Sequence, residues 1–189
     1  MELVRVKLKN GKTVIIRRFS LKDKEKLIEM YASLSNEAVQ WGMPPYTREK
    51  LERWFANLEN YISLVALYDN RIVGHAQIYK NPHPRRKGTG SLIIYIHQDF
   101  HNVGLGTSML EQLLKLAREE KMHRLTLWVV ADNKRAIHLY KKMGFKIEGI
   151  MKDAYFGADG NYHDELVMGL ILNERKSPEH VKHKNIPVS

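Results

Sequence analysis

Two short segments of this sequence have residue types and spacings that could do chemistry. In the first, Asp99-Phe100-His101-Asn102-Val103-Gly104-Leu105-Gly106-Thr107 follows the apolar run Leu92-Ile93-Ile94-Tyr95-Ile96 and leads into a helical pattern. Glycines at 104 and 106 let the backbone approach a ligand closely. The unpaired N–H groups of a helix's first turn, with about half a unit of positive charge, attract anions. The chemistry would be that of a phosphate seat, although the same residues also suit a purely structural turn. No Gly-Lys-Ser/Thr follows and the third glycine of the dinucleotide fingerprint is missing, which argues against an ATPase or a dehydrogenase. The second segment carries Asn133 and Tyr140, seven residues apart. On a helix they fall within about 20° of one face and roughly 10 Å apart along the axis, where an extended ligand could meet both. The alternative is that Asn133 caps the helix and Tyr140 packs in the core with its hydroxyl satisfied.

Composition narrows the chemistry. The 189 residues contain no cysteine, which excludes disulfides, thiolate nucleophiles and Cys-ligated zinc. The nine histidines show no His-Glu-x-x-His spacing, so no metal is expected. With 31 Lys and Arg against 21 Asp and Glu the net charge is +10, which suits nucleic acid, a phosphate-bearing cofactor or an acidic substrate without choosing among them. No apolar run approaches the ~20 residues of a membrane span, and the start, Met1-Glu2-Leu3-Val4-Arg5, lacks the apolar stretch of a secretory signal. A soluble, cytoplasmic protein is expected, with one domain over residues 1–172 and a basic, mobile tail over 173–189.

The elements that must position the two segments follow from periodicity. Alternation over residues 3–8, the pair Asn10-Gly11 and the run 13–16 predict a β-hairpin. Residues 20–36 predict a capped amphipathic helix, and a second runs from Thr47 through Leu58. Strands follow at 61–68 and 71–79, joined by Asp69-Asn70. The continuous apolar run 92–96 predicts a strand buried on both faces at the centre of the sheet. A helix from Gly104, a strand at 124–130, a helix at 133–143 stopped by Gly144, and strands at about 145–156 and 162–172 complete the chain. Strand, helix, strand implies a crossover and a partly parallel sheet with antiparallel hairpins at its ends.

The glycine turn after a strand, then Asn133 with Arg135-Ala136-Ile137, Tyr140 and Gly144-Phe145, in this order and spacing, resembles the GCN5-related N-acetyltransferases (GNAT) over about residues 13–172. The resemblance implies an α/β (α+β) fold, a mixed, centrally splayed sheet of about seven strands flanked by about four helices. It implies acetyl-CoA as co-substrate, with backbone groups of Ile94, Tyr95 and Ile96 on its pantetheine arm and acetyl carbonyl. His101 stands at the first position of the pyrophosphate motif, and the amides of Asn102, Val103, Gly104, Leu105, Gly106 and Thr107 hold the pyrophosphate. Asn133 contacts the arm, and Tyr140 protonates the departing thiolate. Trp41 and Tyr46 on one aromatic loop, and Tyr155 near the last turn, would bind the acceptor. Val73-Gly74-His75, Arg85-Arg86 and the ending Asp159 to Glu165 before Met168 look most like members acetylating small amines or amino acids; protein N-terminal and lysine acetyltransferases share the core motifs. An enzyme, an acyltransferase attacking the thioester directly from its amine, is therefore expected, with neither membrane nor nucleic acid as partner and a homodimer admitted.

The sequence departs from the family in three places. His101 replaces the usual Arg or Gln, and Ser91 and Trp128 occupy strand positions where relatives often carry a carboxylate base. The base is thus His97, Asp164, Glu165, more distantly His75, or a chain of waters. Asp164 and Glu165 alternate in direction, so only one can face the cleft. Two readings of other classes stay open here: a nucleic-acid-binding module using the basic loop at 85–87, and a CoA-binding sensor without catalysis.

Overall fold

The computed structural model describes residues 3–173, so the expected basic tail lies, beyond residue 173, outside the described residues. The opening hairpin forms as expected: β1 (Val4–Lys7) pairs antiparallel with β2 (Thr13–Arg18), and Gly11 takes φ +82° in the turn. β3 (Tyr61–Tyr68) and β4 (Arg71–Lys80) make a second hairpin in which Asp69 and Asn70 both adopt positive φ, as a primed two-residue turn requires. β5 (Thr89–Ile96), β6 (Arg124–Val130), β7 (Lys146–Phe156) and β8 (Tyr162–Ile171) complete one sheet of order β1-β2-β3-β4-β5-β6-β8-β7. Every neighbouring pair is antiparallel except β5 with β6. No helix among the described residues is long and apolar enough to cross a membrane.

Helices cover both faces. α4 (Leu105–Glu119) is the crossover between the parallel strands and buries Met109, Leu113 and Leu116 against Leu64, Ala76 and Ile78. α5 (Lys134–Lys142) adds Ile137 and Tyr140 to that core. On the opposite face α1 (Lys24–Ala32) and α3 (Arg48–Phe55) bury Leu27, Leu51 and Phe55 with Val65 and Ile72.

Among the described residues there are eight strands and five helices rather than about seven and four. The helix expected over 20–36 is broken: α1 ends at Ala32, and a separate short helix α2 (Asn36–Val39) begins after Ser35. Ser35 accepts the Ala38 amide, and the Gln98 side chain clasps the gap, donating to Ser33 O (3.0 Å) and accepting from Ser35 N (3.1 Å). That clasp comes from 63 residues away, so local periodicity could not announce it.

The run 92–96 is not buried on both faces: Ile93 is 40% exposed, and Ile94, Tyr95 and Ile96 are only half-buried. β5 and β6 pair at Thr89↔Arg124, Gly90↔Leu125 and Ser91↔Thr126 and then part. On the other side β5 stays paired to β4, and the bonds Asn81 N to Thr89 O and His97 N to Val73 O mark its odd residues as the hydrogen-bonded ones. The Leu92 N–H still donates to Thr126 O in the last pair, whereas the Leu92 carbonyl and the N–H and C=O groups of Ile94 and Ile96 turn into the gap. Gly90 sits where pairing ends; a Cβ there would stand 2.6 Å from Ile78 Cγ2 and Met122 Cε and 2.8 Å from Tyr79 O. Gly90→Ala is expected to wedge the strands at the root of the gap and cost about 1–3 kcal/mol, read as a lower urea midpoint.

Candidate active site

The parting of β5 and β6 leaves a cavity of about 400 Å³, bounded by β5, the first turn of α4, the inner face of α5 and the loop at Trp41-Gly42. Its anionic end is built from backbone. Gly104 holds φ +93°, and Ser108 is the first amide of α4 to find a helical acceptor, Gly104 O at 3.1 Å. The amides of Leu105, Gly106 and Thr107 have no such partner and lie at the cavity, as Asn102 and Gly104 do. Val103 is turned away: its side chain packs on the core, and its carbonyl accepts Lys9 N at 3.1 Å. The hairpin turn thereby delivers Lys9 to the cavity beside Arg135 and Lys142, a cationic rim. Lys9 had no local signal, because only the fold brings β1 to this loop.

His101 does something the sequence did not disclose. Its Nε2–H donates to Ile96 O at 2.8 Å, while Arg135 donates to its Nδ1 at 3.1 Å. Those roles require the neutral ring, and burial, reinforced by the Arg135 charge, lowers its pKa. The histidine therefore satisfies one of the three carbonyls exposed by the gap and holds Arg135 at the rim.

On α5, Asn133 caps the helix, its Oδ1 accepting Ala136 N at 3.1 Å, and it lines the cavity at the same time. The two alternatives for it coexist. Tyr140 is 8% exposed and packs edge-on against Phe145, but its hydroxyl has no partner among the described residues and opens onto the cavity. Burial pushes its pKa up to about 12, so it holds its proton at neutral pH.

The face of the sheet opposite α4 carries the other wall. Register places Ser91, Ile93 and Tyr95 of β5, Thr126, Trp128 and Val130 of β6, and Val167 and Glu165 of β8 on it. The backbone of Tyr95 pairs with His75 on β4 rather than facing the gap, which corrects the expectation for that residue. Its hydroxyl instead accepts from Tyr46 at 2.6 Å, and Tyr46 accepts Met43 N at 2.8 Å, leaving the Tyr95 O–H free. Burial, with the Tyr46 and Tyr140 charges behind it, raises the Tyr95 pKa.

Of the three expected acceptor residues only Trp41 lines the cavity. Tyr46 and Tyr155 stand behind it and hold its loop: the Tyr155 hydroxyl lies 3.0 Å from Gln40 O and 2.7 Å from Gly42 O. Gly42 must be glycine, since a Cβ would come 2.5 Å from the Tyr46 hydroxyl.

The base candidates separate cleanly. His97 is buried beside Lys12 and Tyr68 in a different pocket. His75 is locked between Tyr31 Oη (2.7 Å) and Ser63 Oγ (3.0 Å), its pKa driven to about 3 by burial. Asp164 is tied to Lys152 at 2.7 Å, which lowers its pKa. Glu165 is half-buried without a hydrogen bond or ion pair among the described residues, and burial raises its pKa. Among the described residues no cluster of three or more His, Asp or Glu is arranged to hold a metal.

Comparison with known proteins agrees with this geometry. The family model described as "Acetyltransferase (GNAT) family" matches residues 26–145. An L-amino acid N-acetyltransferase of Escherichia coli K12 is 26% identical over 159 residues, 84% of this chain and 98% of that protein. The crystal structure of a GNAT-family acetyltransferase from Streptococcus pneumoniae matches with TM-score 0.76 at 28% identity, covering 85% of this chain and 99% of that one. A ribosomal-protein-alanine N-acetyltransferase from Brucella melitensis matches with TM-score 0.71 at 27% identity, covering 82% and 98%.

Gly104 and Gly11 both hold positive φ with open space where a Cβ would go, so alanine at either strains only the backbone. Each substitution is expected to cost about 1–2 kcal/mol in urea unfolding. Gly104→Ala should in addition weaken binding of inorganic pyrophosphate by calorimetry, and Gly11→Ala should leave that binding unchanged.

Proposed function

This chain belongs to the acetyltransferase (GNAT) family, and from that premise we propose that it transfers an acetyl group from acetyl-CoA to a primary amine by direct attack within a ternary complex. The reading is carried by three unpartnered features meeting on one gap: the β5 backbone edge from the Leu92 carbonyl through Ile94, the free amides of α4, and the Tyr140 phenol. Acetyl-CoA has a counterpart for each: an amide-bearing arm that can pair like an added strand, a pyrophosphate, and a sulfur needing a proton. When bound, it supplies an activated acyl thioester.

The chain's own groups then divide the work. A β5 amide facing the gap polarises the acetyl carbonyl, most effectively in a site from which water is excluded. Holding the amine in line removes the need for a covalent enzyme intermediate. The C–N bond forms as the C–S bond breaks, the amine gives up a proton and the sulfur gains one. Tyr140 keeps its proton until negative charge develops on sulfur beside it. Glu165 sits one strand behind the wall formed by Trp128 and takes the proton of the acceptor ammonium through water; burial raises its pKa, which makes it the stronger base.

The acceptor in this reading is a small amine or an amino acid, supported by the likeness to the Escherichia coli enzyme. A protein amino terminus is the second reading. It is favoured by the floor of the cavity, where the lining residues Ile93 and Trp128 are 40% and 50% exposed and so leave that side open to a longer acceptor.

Released thiol, followed across amines, amino acids and peptide amino termini, tests this directly. Tyr140→Phe is expected to lower kcat by about 10²-fold or more with acetyl-CoA affinity unchanged; an unaltered kcat removes the acid role. Glu165→Gln should lower kcat/KM for the acceptor by about tenfold and change the acidic limb of the pH profile. An unchanged profile would leave the proton to water alone.

A further inference from the structure

We propose that His163, bridged between Asp132 and Asp159, is a positioning residue that latches Trp41 over the acceptor side of the cleft and so governs how tightly the acceptor is held. The inference rests on the acetyl-transfer reading for its consequence, not for its geometry. His163 Nδ1 lies 2.8 Å from Asp132 Oδ2, in the turn between β6 and α5, and Nε2 lies 3.1 Å from Asp159 Oδ1, in the turn between β7 and β8. The ring meets Trp41 edge-on at 5.1 Å, and Tyr155, which holds the carbonyls on either side of Trp41, meets both rings at a steep angle at 6.3 and 6.4 Å. One imidazole therefore joins three segments remote in sequence, and Asp132 immediately precedes Asn133, the cap of the helix that carries Tyr140.

The arrangement dictates a protonation state. Carboxylates only accept, so two of them on the two ring nitrogens require both to carry hydrogen. Loss of one proton turns a hydrogen bond into a lone pair facing a carboxylate. Space at the contact is also specific: a Cβ on Gly157 would lie 2.5 Å from Asp159 Oδ1 and 2.7 Å from His163 Nε2, so only glycine admits the bond. The charged groups around the ring are Asp132 and Asp159, Lys134, whose ammonium is 4.0 Å from the other Asp132 oxygen, and Glu165 two residues on along the same face of β8. The Asp159 and Asp132 bonds raise the His163 pKa, and the same His163 bond lowers that of Asp159 to about 2.

The sign follows. With the histidine raised, the latch is at full strength below about 6.5 and weakens as pH rises through the raised value. With Asp159 lowered, its share is present above about 3.9 and fades as pH falls toward the folded value. The latch is thus strongest between the lowered value of Asp159 and the raised value of His163, and it weakens on either side.

The test uses the full chain labelled with 5-fluorotryptophan, the Trp41 fluorine resonance being identified by its absence in Trp41→Phe, and follows the His163 ring protons in the same titration. His163 is expected to titrate above 6.5 with the Trp41 resonance moving at the same midpoint. Asp159→Asn should lower that midpoint, and His163→Gln should abolish the Trp41 titration. His163→Gln is also expected to raise the acceptor KM by about fivefold or more with kcat and acetyl-CoA affinity little changed. A His163 midpoint at or below 6.5, or a Trp41 signal silent through that titration, overturns the latch. Losses spread equally over kcat, both substrates and thermal stability also overturn it, in favour of a merely structural role. If the wild-type protein releases no thiol with any acceptor, the acetyl-transfer reading fails, and the Trp41 titration still decides the latch.

Discussion

Two parallel strands that pair for three residues and then separate create the site on which everything else depends. A sheet that stops pairing in its interior exposes donors and acceptors that cost about 1–3 kcal/mol each if left dry and unmatched. The surroundings answer this group by group. His101 takes the carbonyl of Ile96, α4 brings its free amides to one end of the opening, and the Leu92 carbonyl and both groups of Ile94 are left for a ligand. Gly90, one residue before the last pair, is pressed by Ile78 and Tyr79 of β4 and by Met122 after α4, so no side chain fits at the root of the opening.

Charge and protonation are distributed in the same spirit. Lys9 and Arg135 are held beside the turn before α4, by Val103 O and His101, and Lys142 also lines the cavity. At the other end the groups are kept protonated or unpaired by burial: Tyr140 and Tyr95 as phenols, Glu165 as a carboxylate without a cation. The histidines divide by environment. His75 is enclosed with neutral partners and held neutral, His101 is neutral because Arg135 donates to it, and His163 is set between two carboxylates.

Much of this was legible from local pattern. Turn pairs at Asn10-Gly11 and Asp69-Asn70, Gly104 before α4 and Gly144 after α5 are decided by backbone conformations that few other residues reach, so sequence states them openly. What stayed hidden was decided by distant contacts. The break at Ser33 to Ser35 is made by Gln98, Lys9 arrives through a hairpin, and an apolar run that reads as a buried strand is half-open because its neighbour leaves it. Aromatic character marks Tyr46 and Tyr155 as candidates for the cavity wall, yet they stand behind it and support the Trp41 loop. Asp164 and Glu165 were indistinguishable until Lys152 was seen to claim one of them.

The donor end is made almost wholly of main-chain groups, and main-chain groups carry no side-chain identity. Side chains around it can therefore drift, as His101 has, without erasing the seat, whereas the acceptor side is held by Trp41, Tyr46, Tyr155 and His163 and changes whenever one of them does. Divergence should accordingly leave a common donor and scatter the acceptors, so resemblance at about one residue in four reports what is given far more securely than what receives it.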